Sequence, residues 1–287
     1  MKQFLQELLR VRVSAEGWTW LENASATAAE PVRESALMGN YAGAGRRVGK
    51  EALALDAGEK LLAREMDDEL IFDHWGADEA ARALLLLSLD HLPAEEFMGI
   101  AVRAYELGDS REQTSWLRAA ILLPNSERFL ATAVDACRTN ILSLFEAIAC
   151  ENPYPARYFP DANFNQLLMK CLFNGLAIAR VVGLGRRLNT ELSRMANDYV
   201  DEREAAGREV PSDIWLALAP HVDSEGVPRV HSYLSHEDPD HRYWAAVGLG
   251  TRPDGEGRQV LQERLRIEEQ PRVRDAIDAA LAENGNG

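Results

Sequence analysis

Asp238-Pro-Asp-His-Arg-Tyr-Trp-Ala-Ala-Val-Gly-Leu249, set against Gln270-Pro-Arg-Val-Arg-Asp-Ala-Ile-Asp-Ala-Ala-Leu281, decides the fold. Pro239 aligns with Pro271, Arg242 with Arg274 and Leu249 with Leu281, a period of 32 residues from 239 to 271. Each copy places proline in a first helical turn, a basic residue three positions later, and small apolar residues where another helix must approach. Val260, Leu261 and Leu265 supply the apolar side of a helix between the copies. A helix pair of this size cannot bury its own apolar face, so it must stack on a neighbour.

This unit resembles the short HEAT-like repeat. Two copies need further helices to complete a stack, and the sequence upstream provides them. Gly108-Asp-Ser-Arg111 before Trp116-Leu-Arg-Ala-Ala120 reads as a degenerate copy. Apolar residues recur at helical spacing almost everywhere, with no sustained alternation of the kind a half-buried strand shows. Asp56, with Glu59 three positions on, is a capping-box start for a helix running to Phe72, whose apolar stripe is Leu61, Leu62, Met66, Leu70 and Ile71. Further helices are predicted over 78–91, 93–107, 110–123, 126–139 and 141–150, separated by short connections. The predicted fold is all-α, a superhelical stack of antiparallel helix pairs, that is, a HEAT-like α-solenoid.

Composition narrows the function by exclusion. The 287 residues are 46% hydrophobic, enough for a sizeable core, and 46 acidic against 31 basic residues give a net charge of -15. Such a charge repels nucleic-acid phosphates and anionic membrane surfaces. The longest apolar run, Ala83 to Leu89, is far short of the ~20 residues that span a bilayer. Cys137, Cys150 and Cys171 lack zinc or C-x-x-C spacing and read as buried thiols. The opening MKQFLQELLRVRV interrupts its apolar pattern with Glu7, Arg10 and Arg12, unlike a signal peptide. The expected setting is cytoplasmic, without nucleic acid and without direct membrane insertion.

The pattern changes at Asn152-Pro-Tyr-Pro-Ala-Arg-Tyr-Phe-Pro160, where three prolines and three aromatics exclude continuous helix or sheet and predict a rigid connection. A helix over 161–175 then puts Phe164, Leu167, Leu168, Cys171 and Leu172 on one face. Asn163, Gln166, Lys170 and Asn174 share a strip about 80° wide at 100° per residue. A solvated face or interhelical packing is the ordinary explanation of such a strip. Amides outnumber charges here, which sets beside that explanation a candidate ligand or partner groove made by Tyr154, Arg157, Tyr158, Asn163, Gln166, Lys170 and Asn174.

Other constellations carry less. His231, His236 and His241, with Asp238 and Asp240, have metal-ligand chemistry but no two histidines at i and i+4, and Asp238 is better placed as a helix cap. Asp67-Asp-Glu69 with Asp73, and Asn197-Asp-Tyr-Val-Asp201, resemble the acidic helices of isoprenoid synthases but miss their register. No G-x-S-x-G elbow and no locally activated cysteine appears. Gly39, Gly43, Gly45 and Gly49 cluster with Arg46, Arg47 and Lys50 in the one basic patch, and read as a helix junction ahead of an anion contact.

The proline-aromatic segment, Phe164-Asn-Gln166, Lys170, Asn189-Thr-Glu-Leu-Ser-Arg-Met195, Asp198-Tyr199, Glu202-Arg203 and Gly207-Arg208 resemble the EboA family, as does Gly108-Asp-Ser-Arg-Glu-Gln113 with Trp116-Leu-Arg-Ala119. The resemblance runs from about residue 100 to 220. It implies a bacterial protein encoded beside a UbiA-like membrane prenyltransferase and soluble enzymes that make or export secondary-metabolite precursors. It carries no assigned reaction, so no catalytic residue is transferred. Two domains are expected, 1–220 EboA-like and 221–287 a HEAT-like pair continuing the stack. The expected function is that of a non-catalytic accessory or scaffold protein, without cofactor or metal, cytoplasmic or peripheral to the inner membrane. Its expected partners are proteins of the same metabolite system, the UbiA-like protein among them, or a small molecule. The rival expectation is a magnesium-dependent enzyme acting on a prenylated or phosphorylated precursor through Asp67, Asp68, Asp198 and Asp201. A third is a structural dimerisation module.

Overall fold

Helical periodicity governs the chain throughout: the computed structural model, which describes residues 1–29, 33–252, 255 and 257–283, is all-α. Among the described residues no strand forms beyond a single antiparallel bridge between Ala52 and Gly76. The chain divides into two compact units, Met1–Pro160 and Asp161–Gly287. Residue 220, where a domain boundary is expected from the sequence, lies inside the second unit.

The first unit contains α1 (Lys2–Arg12), α2 (Ala15–Ala29), α3 (Glu34–Val48), α4 (Ala57–Met66), α5 (Ala77–Leu87), α6 (Ala94–Leu107), α7 (Ser110–Ala119), α8 (Leu130–Ala136), α9 (Leu142–Ala149) and α10 (Tyr154–Tyr158). Its centre is α5, every residue of which is buried, including Asp78, Glu79 and Arg82. A helix apolar on nearly all sides must be surrounded, and α1, α2, α3 and α7 pack around it. Trp116 of α7 fills the core beside Phe129, and its indole N–H donates to the Ala101 carbonyl at 2.7 Å.

One element differs from its sequence reading. The Asp56 capping box forms, with the Asp56 carboxylate accepting from Glu59 N–H and the Glu59 carboxylate from Asp56 N–H. The helix nevertheless ends at Met66, because Asp67 turns extended and its carboxylate accepts the Glu69 N–H, an alternative to the helical bond. The expected stripe is also rotated. Ala63 faces inward, while Leu61, Leu62 and Met66 are 58%, 51% and 43% exposed, and burial resumes at Leu70 and Phe72. The Arg12 guanidinium clamps Glu59 and the Leu53 carbonyl and so fixes which face of α4 meets the core. The proline-aromatic segment, expected to exclude continuous helix, holds only the five-residue α10. Pro155 falls in its first turn, where a missing N–H costs nothing.

The second unit contains α11 (Asp161–Phe173), α12 (Thr190–Ala205), α13 (Trp215–Leu218), α14 (Val227–Tyr233), α15 (Pro239–Gly250), α16 (Arg258–Leu265) and α17 (Pro271–Glu283). Here the 32-residue repeat is visible as contacts. Asp240 and Arg272, equivalent positions of the two copies, form an ion pair at 2.7 Å, and Arg272 lies over the Tyr243 ring at 4.0 Å. Arg242 donates to the carbonyl of His236, six residues back, and Arg274 to that of Glu268, also six back. The small residues do what the alignment requires of them. A Cβ at Gly250 would collide with Ala280 of α17, and one at Gly248 with the Trp215 carbonyl and with Ala219 Cβ at 2.9 Å. Close backbone approach on both sides of α15 therefore depends on glycine.

Candidate functional site

The seven residues singled out from the sequence fall on both units. In the first, Tyr154 is fully buried, donates to the Ser126 carbonyl at 2.7 Å and packs against Tyr158. It is a strut, with no surface to offer a ligand. Tyr158 shares a 2.8 Å hydrogen bond with the Ser126 hydroxyl. Arg157 holds Asp67 at 2.6 Å and Glu69 at 2.8 Å, fastening α10 to the end of α4. In the second unit, Gln166 is exposed and Asn163 and Lys170 are partly exposed on α11, while Asn174 is partly exposed in the turn that follows it. The apolar face read for this helix is buried as expected.

Several residues that carry the EboA resemblance prove to be fasteners. Buried Asn152 donates to the Leu117 and Ala147 carbonyls at 3.0 and 2.9 Å and accepts from Tyr154 N–H. Asn165 and Asn189 exchange reciprocal amide bonds at 3.1 and 3.0 Å, and Asn189 also caps α12. Asp109 and Glu112 form a capping box at the start of α7. Sequence reasoning registered these residues without assigning their roles, because each partner is a backbone group or a distant amide that no local pattern announces.

Three of the four acidic candidates are engaged by arginine: Asp67 by Arg157, Asp198 by Arg194 at 2.6 Å and Asp201 by Arg229. Among the described residues no group of three or more His, Cys, Asp or Glu gathers in a form that could hold a metal ion. His236 and His241 are neighbours, their ring centroids 4.4 Å apart. Their Nδ1 atoms are already occupied, accepting from Asp238 N–H at 3.1 Å and from Trp215 Nε1–H at 3.0 Å. Burial, aided by His236, holds His241 below the ordinary histidine pKa and keeps it neutral, with its remaining proton on Nε2.

These rings line a cavity of about 640 Å³, which the sequence reading missed. Arg203, Arg208 and Ser212 line it together with Tyr233, His236 and His241. Tyr233 stacks on His236 with planes 8° apart and packs at a tilt against Trp215, ring centroids 4.2 Å apart, and its hydroxyl donates to Glu204. Burial and the Glu204 carboxylate push the Tyr233 phenol up to about 12. The signal was present, since His236 and His241 flank the α15 cap, but the partners come from α12, α13 and α14.

The fold and these sites define an all-α helical-repeat protein with open polar cavities. The EboA family profile, described as "Metabolite traffic protein EboA", matches residues 1–219, and a HEAT repeat profile matches residues 203–282. The chain belongs to the EboA family and carries HEAT repeats in its C-terminal part. No curated protein and no solved structure gives a match. No helix among the described residues is long and apolar enough to cross a membrane.

Proposed function

We propose that this chain is a non-catalytic accessory protein of bacterial secondary-metabolite traffic, which holds an organic ligand and engages partner proteins. The observation that carries this reading is the 640 Å³ cavity at the start of α15. Its lining includes the Tyr233, His236 and His241 rings, Tyr233 stacked on His236 and His241 held from behind by the buried Trp215 indole, together with arginine and serine donors. Flat rings with pre-oriented polar groups suit an aromatic or amphipathic molecule, and the size is that of a small-molecule site. The family description supplies the setting, metabolite traffic.

Two partly exposed patches are the proposed partner contacts: Arg157 and Tyr158 at the end of the first unit, supported from beneath by Tyr154, and Asn163, Gln166 and Lys170 on α11 with Asn174 just after it. The partners implied by the family setting are the other proteins of the system, a UbiA-like membrane protein among them, met in the cytoplasm or at the inner membrane. In this reading residues 1–220 form the family domain and 221–287 extend it as a HEAT-like pair.

Native mass spectra of protein purified without chelators, recorded before and after denaturation, test the proposal. An organic adduct released on denaturation, and lost in His236→Ala, is expected. A retained metal together with turnover of a prenylated or phosphorylated precursor would overturn the reading and favour the enzyme.

A further inference from the structure

A second cavity, of about 510 Å³ and wholly within the first unit, is built differently. One wall is the polar face of α7, where Ser110, Arg111, Thr114 and Arg118 follow helical spacing. Lys50, just past the glycine-rich end of α3, and Ser143 of α9 complete it. Beneath them Asp78 is completely buried. It takes Nε and Nη2 of Arg111 at 2.6 Å each and Nη1 of Arg82 at 2.7 Å. Burial pushes the Asp78 carboxyl up, but the hydrogen bonds from Arg111 and Arg82 prevail and hold it ionised, below its usual value. Glu79 similarly takes Nη1 of Arg118, at 2.8 and 2.9 Å, while capping Gly76 N–H at 2.7 Å.

Two buried carboxylates thus fix the position of two guanidinium groups while using only part of their donors. Among the described residues, Arg111 Nη1 and Arg118 Nε and Nη2 have no acceptor, and Lys50 makes no ion pair. Among the residues lining the cavity, Lys50, Arg111 and Arg118 balance Asp73, Glu79 and Glu146, a neutral lining in a chain of net charge -15. Glycine keeps the floor open: a Cβ at Gly76 would stand 2.8 Å from Asp78 Oδ1 and 3.3 Å from Arg111 Nη2.

We infer that this cavity binds a small molecule through an oxyanion, carboxylate or phosphate. Guanidinium groups pre-oriented by buried acids pay little ordering entropy on binding and present planar donors to such a group. Ser110, Thr114 and Ser143 hydroxyls are placed to complete its coordination. The site shares no residue with the cavity at α15 or with the two proposed partner patches, and it stands or falls apart from them.

Isothermal titration of the whole chain with citrate and, separately, with pyrophosphate, in low-salt buffer free of divalent metal, tests it and distinguishes the two oxyanions. Saturable 1:1 binding of at least one is expected, with amide shifts at Ser110, Thr114 and Ser143 in NMR spectra. Lys50→Glu, at an exposed position the fold tolerates, weakens that binding about tenfold or more, the scale of one charge-assisted contact. Arg138→Glu, on another surface, leaves it unchanged. No saturation by either probe up to about 10 mM, or equal affinity in wild type and Lys50→Glu, overturns the assignment.

Discussion

Glu268 shows how a single side chain sets the geometry of a repeat. Its carboxylate is 1% exposed and accepts from Arg242 at 2.9 and 3.0 Å, from Arg264 at 2.6 Å and from Gln270 N–H at 3.0 Å. Burial alone would raise its pKa, but the Arg242 hydrogen bonds, the backbone N–H and Arg264 together bring it down to about 2, from a usual 4.5. A carboxyl depressed on folding contributes its full stabilisation above pH 4.5 and loses it as pH falls towards 2. Glu268→Gln, which leaves two arginines without their shared anion, is expected to cost about 3 kcal/mol at pH 7. The difference in denaturation midpoint between wild type and variant should shrink as pH is lowered through that window. Arg242 was legible in the sequence as a repeat position. Glu268 was not, because it stands in the connection between repeats, where the alignment has no column for it.

Elements were legible where their determinants are local and misread where they are not. The caps at Asp56 and Asp238, the breaks near Gly108 and Pro124, and the helices over 93–107 and 110–123 all follow from short-range chemistry, and the structure has them. The orientation of α4 depends on Arg12, more than forty residues away, and the sequence alone pointed its leucines inward. The α15–α17 seam offers the sharpest test at this scale. Gly250→Ala forces a methyl into Ala280 and should cost about 1–3 kcal/mol, measured by chemical denaturation. Gly39→Ala, on an exposed face of α3 with nothing within 4 Å, should instead gain about 0.5–1 kcal/mol. Equal effects would show that the seam is looser than the close approach at Gly250 requires.

At the scale of the molecule, the all-α class was readable from periodicity, because nearly every segment is amphipathic at the same spacing. The cavities were not readable. Each collects residues from three or more elements, as Lys50, Arg111 and Ser143 do, and no linear pattern links them. The net charge of -15 and isoelectric point near 4.9 predict no retention of duplex DNA in a mobility-shift assay and a solubility minimum close to pH 4.9. A positive shift assay would mean that the cations beside Asp78 act on a surface far wider than one cavity.

The paired arginines of the C-terminal copies bear on how such a chain grows. Arg242 and Arg274 each latch onto a carbonyl six residues back, and Asp240 meets Arg272 at the same offset as the copies themselves. A tandem duplication of these 32 residues therefore carries helix and latch together, whereas the inter-copy bridge needs an acid in one copy and a base at the same position of the next, so an exact duplicate sets like charges face to face. An insertion of a few residues between a latch arginine and its carbonyl would break that latch, and with it the seam between the copies.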